Sequence, residues 1–221
     1  MSYPMAYNLF IATGETLYMV ATSTLLAILL GLPLGTLIYS SNCIKPAPKL
    51  HHALSVLINM SRSIPFIILL VAIIPLTRLI VGTSIGMNAA IVPLTLGATP
   101  FFARLVANVY NGLPKGLIET GYAMGANTRQ IIVAILLPEA KPALIHAITV
   151  TAITLVNYSA MAGTVGAGGL GTLAINYGYQ RFDVGVMCST VVILIIMVQL
   201  IQLSGDFLAK RCLHHHGPTT K

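Results

Sequence analysis

Four stretches of this 221-residue chain contain no charged side chain: 16–44, 79–103, 143–180 and 184–205. A helical bilayer span needs about 20 apolar residues, and each stretch is long enough. With 56% hydrophobic residues, 8% charged residues and a mean hydropathy of +0.87, the composition lies outside the soluble range and belongs in a membrane. The chain therefore reads as an all-α integral membrane protein, one membrane domain over 1–221, with lipid as its solvent.

The composition also excludes several function classes. A net charge of +7 suggests nucleic acid in a soluble protein, but Trp is absent and no basic patch alternates with aromatics, so no nucleic-acid partner is expected. The excess of positive charge is better explained by orientation in a membrane. Cys43, Cys188 and Cys212 lack C-x-x-C spacing or histidine pairing, which supports neither a disulfide framework nor a zinc site. The start MSYPMAYN has no basic region ahead of a short apolar core, so the first hydrophobic segment is expected to stay in the protein. GAGGLG at 166–171 matches the G-x-G-x-x-G dinucleotide pattern literally. It follows a membrane span rather than a strand, so a tight turn in which glycines let backbones approach is the better reading. There is no G-x-x-x-x-G-K-[ST], H-E-x-x-H or G-x-S-x-G, so no catalytic residue, cofactor site or metal site is expected in this chain.

Taken in order, the spans number five. The first follows Glu15 and contains Gly31, Pro33 and Gly35, small or kinking residues that suit close helix packing. A compact basic loop at 41–52 leads to a second segment over 53–76, bent at Pro65 and Pro75. Arg62, next to Ser63, either snorkels from near a membrane surface or lines a polar vestibule with Ser63 at the inner mouth of a pathway. The third segment runs from Ile85 to Tyr110 with Pro93 and Pro100 inside. The fourth, from 143 to 166, is the most polar: Asn157, Tyr158 and Ser159 are unfavourable against lipid and must face a cavity or a partner helix. Met161 follows Asn157 by four positions on the same helix face, and its flexible thioether suits a closable constriction. His146 has no carboxylate one turn away and reads as a satisfied interior group. The fifth span is 184–205, and 206–221, with its histidine run, reads as a basic, disordered tail.

The longest polar interruption, 113–142, carries Lys115, Glu119, Arg129, Glu139 and Lys141. Pro114 opens a short helix with Glu119 near its positive end. Gly125 stops that helix, and Asn127 with Gln130 starts the next by a capping box, which is expected to run to Leu137 and break at Pro138. Counting Lys and Arg puts this stretch and the tail on one side of the membrane. With five spans the positive-inside rule then sets the N-terminus outside and the C-terminus in the cytoplasm.

Glu119, Gly125, Ile131 and Leu137-Pro138 stand in a spacing that resembles the cytoplasmic coupling loop of integral-membrane subunits of binding-protein-dependent ABC importers. The resemblance implies that Glu119, Gly125 and Pro138, with Gly121, Ala123 and Ala126, dock against a separate ATPase subunit. Thr120-Gly121 depart from the alanine pair usual there, and a mid-helix Gly costs about 1 kcal/mol relative to Ala. The runs RSIPF at 62–66, GTSIG at 82–86, AAIVPLT at 89–95 and YSAM at 158–161, together with GAGGLG, are similar to the permeases of bacterial methionine ABC importers. This implies a type I importer fold over 13–205, a cytoplasmic tail over 206–221 and a homodimer in the bacterial inner membrane. It also implies two ATP-binding subunits that hold ATP and Mg, a substrate-binding lipoprotein outside, and import of L- and D-methionine. Another small solute, or transport without an ATPase, is the competing reading.

Overall fold

The computed structural model describes Tyr3–Leu213, and the histidines of the expected tail at 214–216 lie outside the described residues. All regular structure among the described residues is helical. Four helices are long and apolar enough to cross a membrane, and a bent pair makes the fifth span.

The first helix, α1 (Tyr3–Cys43), begins well before Glu15 and packs along α5 (Met87–Asn111). Close approach depends on two glycines. A Cβ on Gly35 would sit 2.5 Å from the Ala103 carbonyl oxygen, and one on Gly31 would sit 2.9 Å from Phe102 Cδ1. Pro93 and Pro100 are both buried inside α5, which continues through them as one helix.

The second segment is not a single helix. α2 (Pro48–Ser63) ends where Pro65 holds Ile64 in extended backbone (ψ 122°), and α3 (Phe66–Ala72) leaves at 98° to it. Pro75 then falls in the first turn of α4 (Ile74–Val81), where a missing N–H is no loss. Both prolines therefore begin helices rather than bend one.

After α5, the polar interruption forms α6 (Gly116–Ala123) and α7 (Thr128–Gln130). A π-helical turn (Ile131–Leu136) then runs without a break into α8 (Leu137–Ala162). Pro138 does not end this helix. The Leu137 N–H reaches back five residues to the Ile132 carbonyl, and this wider turn accommodates a proline with no N–H at the start of α8. At the other end of α8 the 166–171 turn leads to α9 (Gly169–Leu173), a second π turn (Ala174–Tyr179) and α10 (Val184–Leu213). Because α10 is helical through Leu213, 206–213 extends the fifth span instead of forming a disordered tail.

The end of the bundle that carries α6 is the coupling end, and the end that carries the 166–171 turn is the far end. Tyr39, Ile44, Phe102, Val106, Tyr110, Ile118, Ile131 and Leu136 form one continuous core, so α6 and the π turn are fused to the coupling end. Leu25 and Leu29 of α1 and Ile195, Ile196, Leu200 and Leu203 of α10 are exposed, giving the apolar outer surface that a bilayer solvates.

Candidate functional site

At the coupling end the turn after α6 follows the sequence reading closely. Gly125 has φ +76°, the Ala126 N–H donates to the Gly121 carbonyl (3.0 Å), and the Gly125 N–H donates to the Tyr122 carbonyl (2.9 Å). This pair of bonds is the Schellman motif, and it needs a residue tolerant of left-handed backbone. The capping box is also present: the Gln130 N–H donates to Asn127 Oδ1 (2.9 Å) and the Asn127 N–H to Gln130 Oε1 (2.8 Å).

The six residues expected to dock divide by position. Glu119, Ala123 and Gly125 are exposed, with Thr120 and Met124 beside them, and together they form the free face of α6 and its turn. Gly121 is buried, and its absent side chain makes room for Ile131 and Ile135, whose carbons would lie 3.0 Å from an added Cβ. The departure from the alanine pair thus has a packing reason: Gly121 lets α6 lie against the π turn. Ala126 and Pro138 are half-buried. Tyr122 was not anticipated, yet its hydroxyl donates to the Ile44 carbonyl (2.6 Å) and ties α6 to the residue just past α1. Nothing in the local sequence pattern of Tyr122 points to a partner 78 positions away.

Two of the expected pathway residues, far apart in sequence, meet in one place. Arg62 at the end of α2 and Tyr158 of α8 line a cavity of about 240 Å³ together with Ser61, Phe66, Gly97 and Phe101. The Tyr158 ring stacks on Phe66 at 4.2 Å between centroids, with 3° between planes, and the Arg62 guanidinium carbon lies 5.9 Å from the Phe101 ring centre. Ser63 closes α2 beside Arg62, its hydroxyl donating to the Asn59 carbonyl (2.9 Å). One turn nearer the coupling end, Arg104 donates to Asn59 Oδ1 (2.6 Å).

On α8 and the turn that follows it, Asn157 and Met161 (48% exposed) fall on a stripe with Val150 and Thr164 that no other element among the described residues covers. Ser159 is on the other side, 2% exposed, its hydroxyl donating to the Val156 carbonyl (2.7 Å), so it takes no part in that stripe. His146 is also not the enclosed group that its sequence neighbours suggested. Its Nδ1 lies 3.7 Å from Asp206 of α10, which accepts a bond from Gln202 (2.9 Å). The carboxylate missing one turn away comes instead from another helix.

At the far end, Gly166, Gly168 and Gly169 all have positive φ, and an added Cβ on Gly171 would lie 2.5 Å from the Ala160 carbonyl oxygen. The turn reading of GAGGLG therefore holds. Its N–H groups are received by α1: Gly169 donates to Glu15 Oε2 (2.6 Å) and Leu170 to Thr16 Oγ1 (2.9 Å). Glu15, which marked the start of the first span in sequence, is half-buried in the fold. Among the described residues no group of His, Cys, Asp and Glu is arranged to hold a metal.

A family model described as binding-protein-dependent transport system inner membrane component matches residues 27–212. The chain belongs to this family. As a transport-system inner membrane component it has close curated relatives. It is 51% identical over 206 residues to the probable D-methionine transport system permease protein of Vibrio cholerae, covering 92% of this chain and 91% of that one. It is 53% identical over 165 residues to the D-methionine transport system permease protein of Escherichia coli K12, covering 74% and 76%. Among solved structures, a chain of the MetNI methionine ABC transporter in an inward-facing conformation aligns with a TM-score of 0.95 at 50% identity, over 96% of this chain and 99% of that one. A chain of an amino acid ABC transporter solved with histidines shares the fold at 18% identity, with a TM-score of 0.73 over 94% and 93%. The membrane component described here thus has the type I importer permease fold, and the exposed face of α6 and the uncovered stripe of α8 are its two candidate working surfaces.

Proposed function

We propose that this chain is the transmembrane subunit of an ATP-driven importer for methionine, both L- and D-, and its analogues in the bacterial inner membrane. The observation that carries the reading is its 51% identity, over nearly its whole length, to a protein named as a probable D-methionine permease. Two copies enclose the path, since five spans leave the Asn157 and Met161 stripe without a cover. Two ATP-binding subunits, which carry ATP and Mg, dock on the exposed faces of α6, and a substrate-binding lipoprotein delivers the solute on the outside. Lys45, Lys49, Lys115, Arg129, Lys141, Lys210 and Arg211 lie toward the coupling end and Arg78 and Arg181 toward the far end, which supports a cytoplasmic coupling end and an external N-terminus.

The geometry supplies a route for the work. Docked force on Glu119, Ala123 and Gly125 passes through the Gly121 contact to Ile131 and Ile135. From there a single helical rod, Thr128–Val165, extends about 55 Å and carries Tyr158 and Met161 near its far end. A tilt imposed at α6 therefore moves the path residues without any separate linker. The test is uptake of labelled L- and D-methionine in cells lacking their own methionine uptake, with this chain expressed beside its ATPase and binding protein. Uptake is expected to depend on all three; growth on methionine without the ATPase would point to an ATPase-independent transporter.

A further inference from the structure

Arg62 is the one charged side chain in the 240 Å³ cavity, whose other walls are three aromatic rings and apolar side chains with the Ser61 hydroxyl among them. It is also deep. It lies about 20 Å along α2 from Pro48 and level with Phe101, midway along α5, so it does not snorkel from the coupling end of its own helix. Among the described residues it makes no hydrogen bond or ion pair; the contact with Phe101 at 5.9 Å is a cation–π approach. An exposed guanidinium with no partner in its own chain is open to water or to an anion.

No acidic side chain of this chain is placed to pair with Arg62. Its five acidic residues are Glu15, Glu119, Glu139, Asp183 and Asp206. Glu15 is bound to Gly169 at the far end, and Asp183, which accepts from the Val186 N–H (3.0 Å), caps α10 at the same end. Glu119 and Glu139 belong to the coupling end. Asp206 is engaged with His146, which lies about 18 Å along α8 from Tyr158. A second copy related by an axis along the bundle presents the same residues at the same levels, so it offers no carboxylate here either. Any anion paired with Arg62 therefore comes from outside these five residues.

We propose that this cavity is a binding site for the transported solute, with Arg62 receiving the α-carboxylate of an amino acid and the Phe66, Phe101 and Tyr158 rings receiving its side chain. The inference rests on the import reading above and adds where, and by which groups, the solute is held. The planar fork of Arg62 matches a carboxylate in two-point contact. The rings suit a flexible thioether, since sulfur is favoured near aromatic edges. Ser61, whose hydroxyl donates to the Leu57 carbonyl, keeps lone pairs free to accept from the solute's ammonium group. Gly97 leaves the space: a Cβ there would already lie 3.3 Å from Phe66.

The test is local to the cavity. Ile64, exposed beside Arg62, is changed to cysteine in a background lacking Cys43, Cys188 and Cys212. The assembled importer is placed in nanodiscs without binding protein, and the rate of modification by a small water-soluble thiol reagent is measured. L-Methionine is expected to slow the reaction severalfold and its methyl ester to leave it unchanged. With Arg62→Gln the concentration for half protection is expected to rise about tenfold or more, with acid and ester becoming alike. Arg62→Lys, which keeps the charge, should retain the preference for acid at weaker affinity. Equal protection by acid and ester, no protection by millimolar methionine, or the same protection by chloride or inorganic phosphate alone would each overturn the site. Methionine uptake measured in parallel separates the two readings: uptake without protection rejects the Arg62 site alone, and protection by a different amino acid without methionine uptake rejects the substrate alone.

Discussion

Replacing Gly125 by alanine and by asparagine separates two reasons for a glycine at the end of α6. Among the described residues no heavy atom beyond its chain neighbours lies within 4 Å of a Cβ added there, so alanine meets no clash inside the permease. The cost inside the chain comes only from φ +76°. For alanine this is about 1–2 kcal/mol, a roughly 5- to 30-fold loss of turns that keep both Schellman bonds. Asparagine tolerates the left-handed region and should lose little of the turn, yet it adds a larger side chain to the exposed face. If the ATPase approaches closely at Gly125, Gly125→Asn impairs docking as much as Gly125→Ala or more. If only the turn matters, asparagine spares function. The assay is co-purification of the ATPase with the permease at equal membrane expression, followed by methionine uptake. Native co-purification and uptake with both variants would refute the reasoning that α6 and its turn form the docking surface.

Two further expectations rest on single contacts. Glu15→Gln keeps an acceptor for the Gly169 N–H and should be mild, whereas Glu15→Leu leaves that donor unpaired and should cost about 1–3 kcal/mol, read as a lower unfolding temperature of the purified permease; equal stability of the two variants would refute the clasp. Met161→Cys, in the background without native cysteines, should react with water-soluble thiol reagents and cross-link to its counterpart in a second copy, because Met161 lies on the uncovered stripe of α8; failure of both reactions in resting and ATP-trapped states, with transport intact, removes it from the path.

What could be read from the sequence was local. The stop at Gly125, the Asn127–Gln130 box, the GAGGLG turn and the packing role of Gly31 and Gly35 each depend on the chemistry of a few adjacent residues, and each is present in the fold. The misreadings arose where an adjoining turn or another helix decides. Pro138 looked like a helix end because a proline lacks one bond, but the π turn before it absorbs the defect. Likewise, 206–213 looked like tail because Asp206, Lys210 and Arg211 end the apolar run, yet Asp206 is matched by His146 across the α8–α10 contact. Polarity picked out Arg62 and Tyr158 separately. That they share a cavity follows from the 98° turn at Ile64-Pro65, which brings Phe66 against Tyr158. Polarity points to Ser159 as well, whose hydroxyl is satisfied on its own helix backbone in the fold.

The bond between Glu15 and Gly169 joins positions 154 residues apart, and this separation sets an order of events at the ribosome. At about 5–20 residues per second, Gly169 is made some 8–30 s after Glu15. Throughout that interval the first helix carries a carboxylate, and later the nascent 166–171 turn carries bare N–H donors, with neither able to answer the other. The N-terminal turns of α1 therefore keep this carboxylate hydrated at the water boundary until nearly the whole polypeptide has been made. The clasp closes late, and a chain stopped before residue 169 keeps its first acidic group without its intended neighbour.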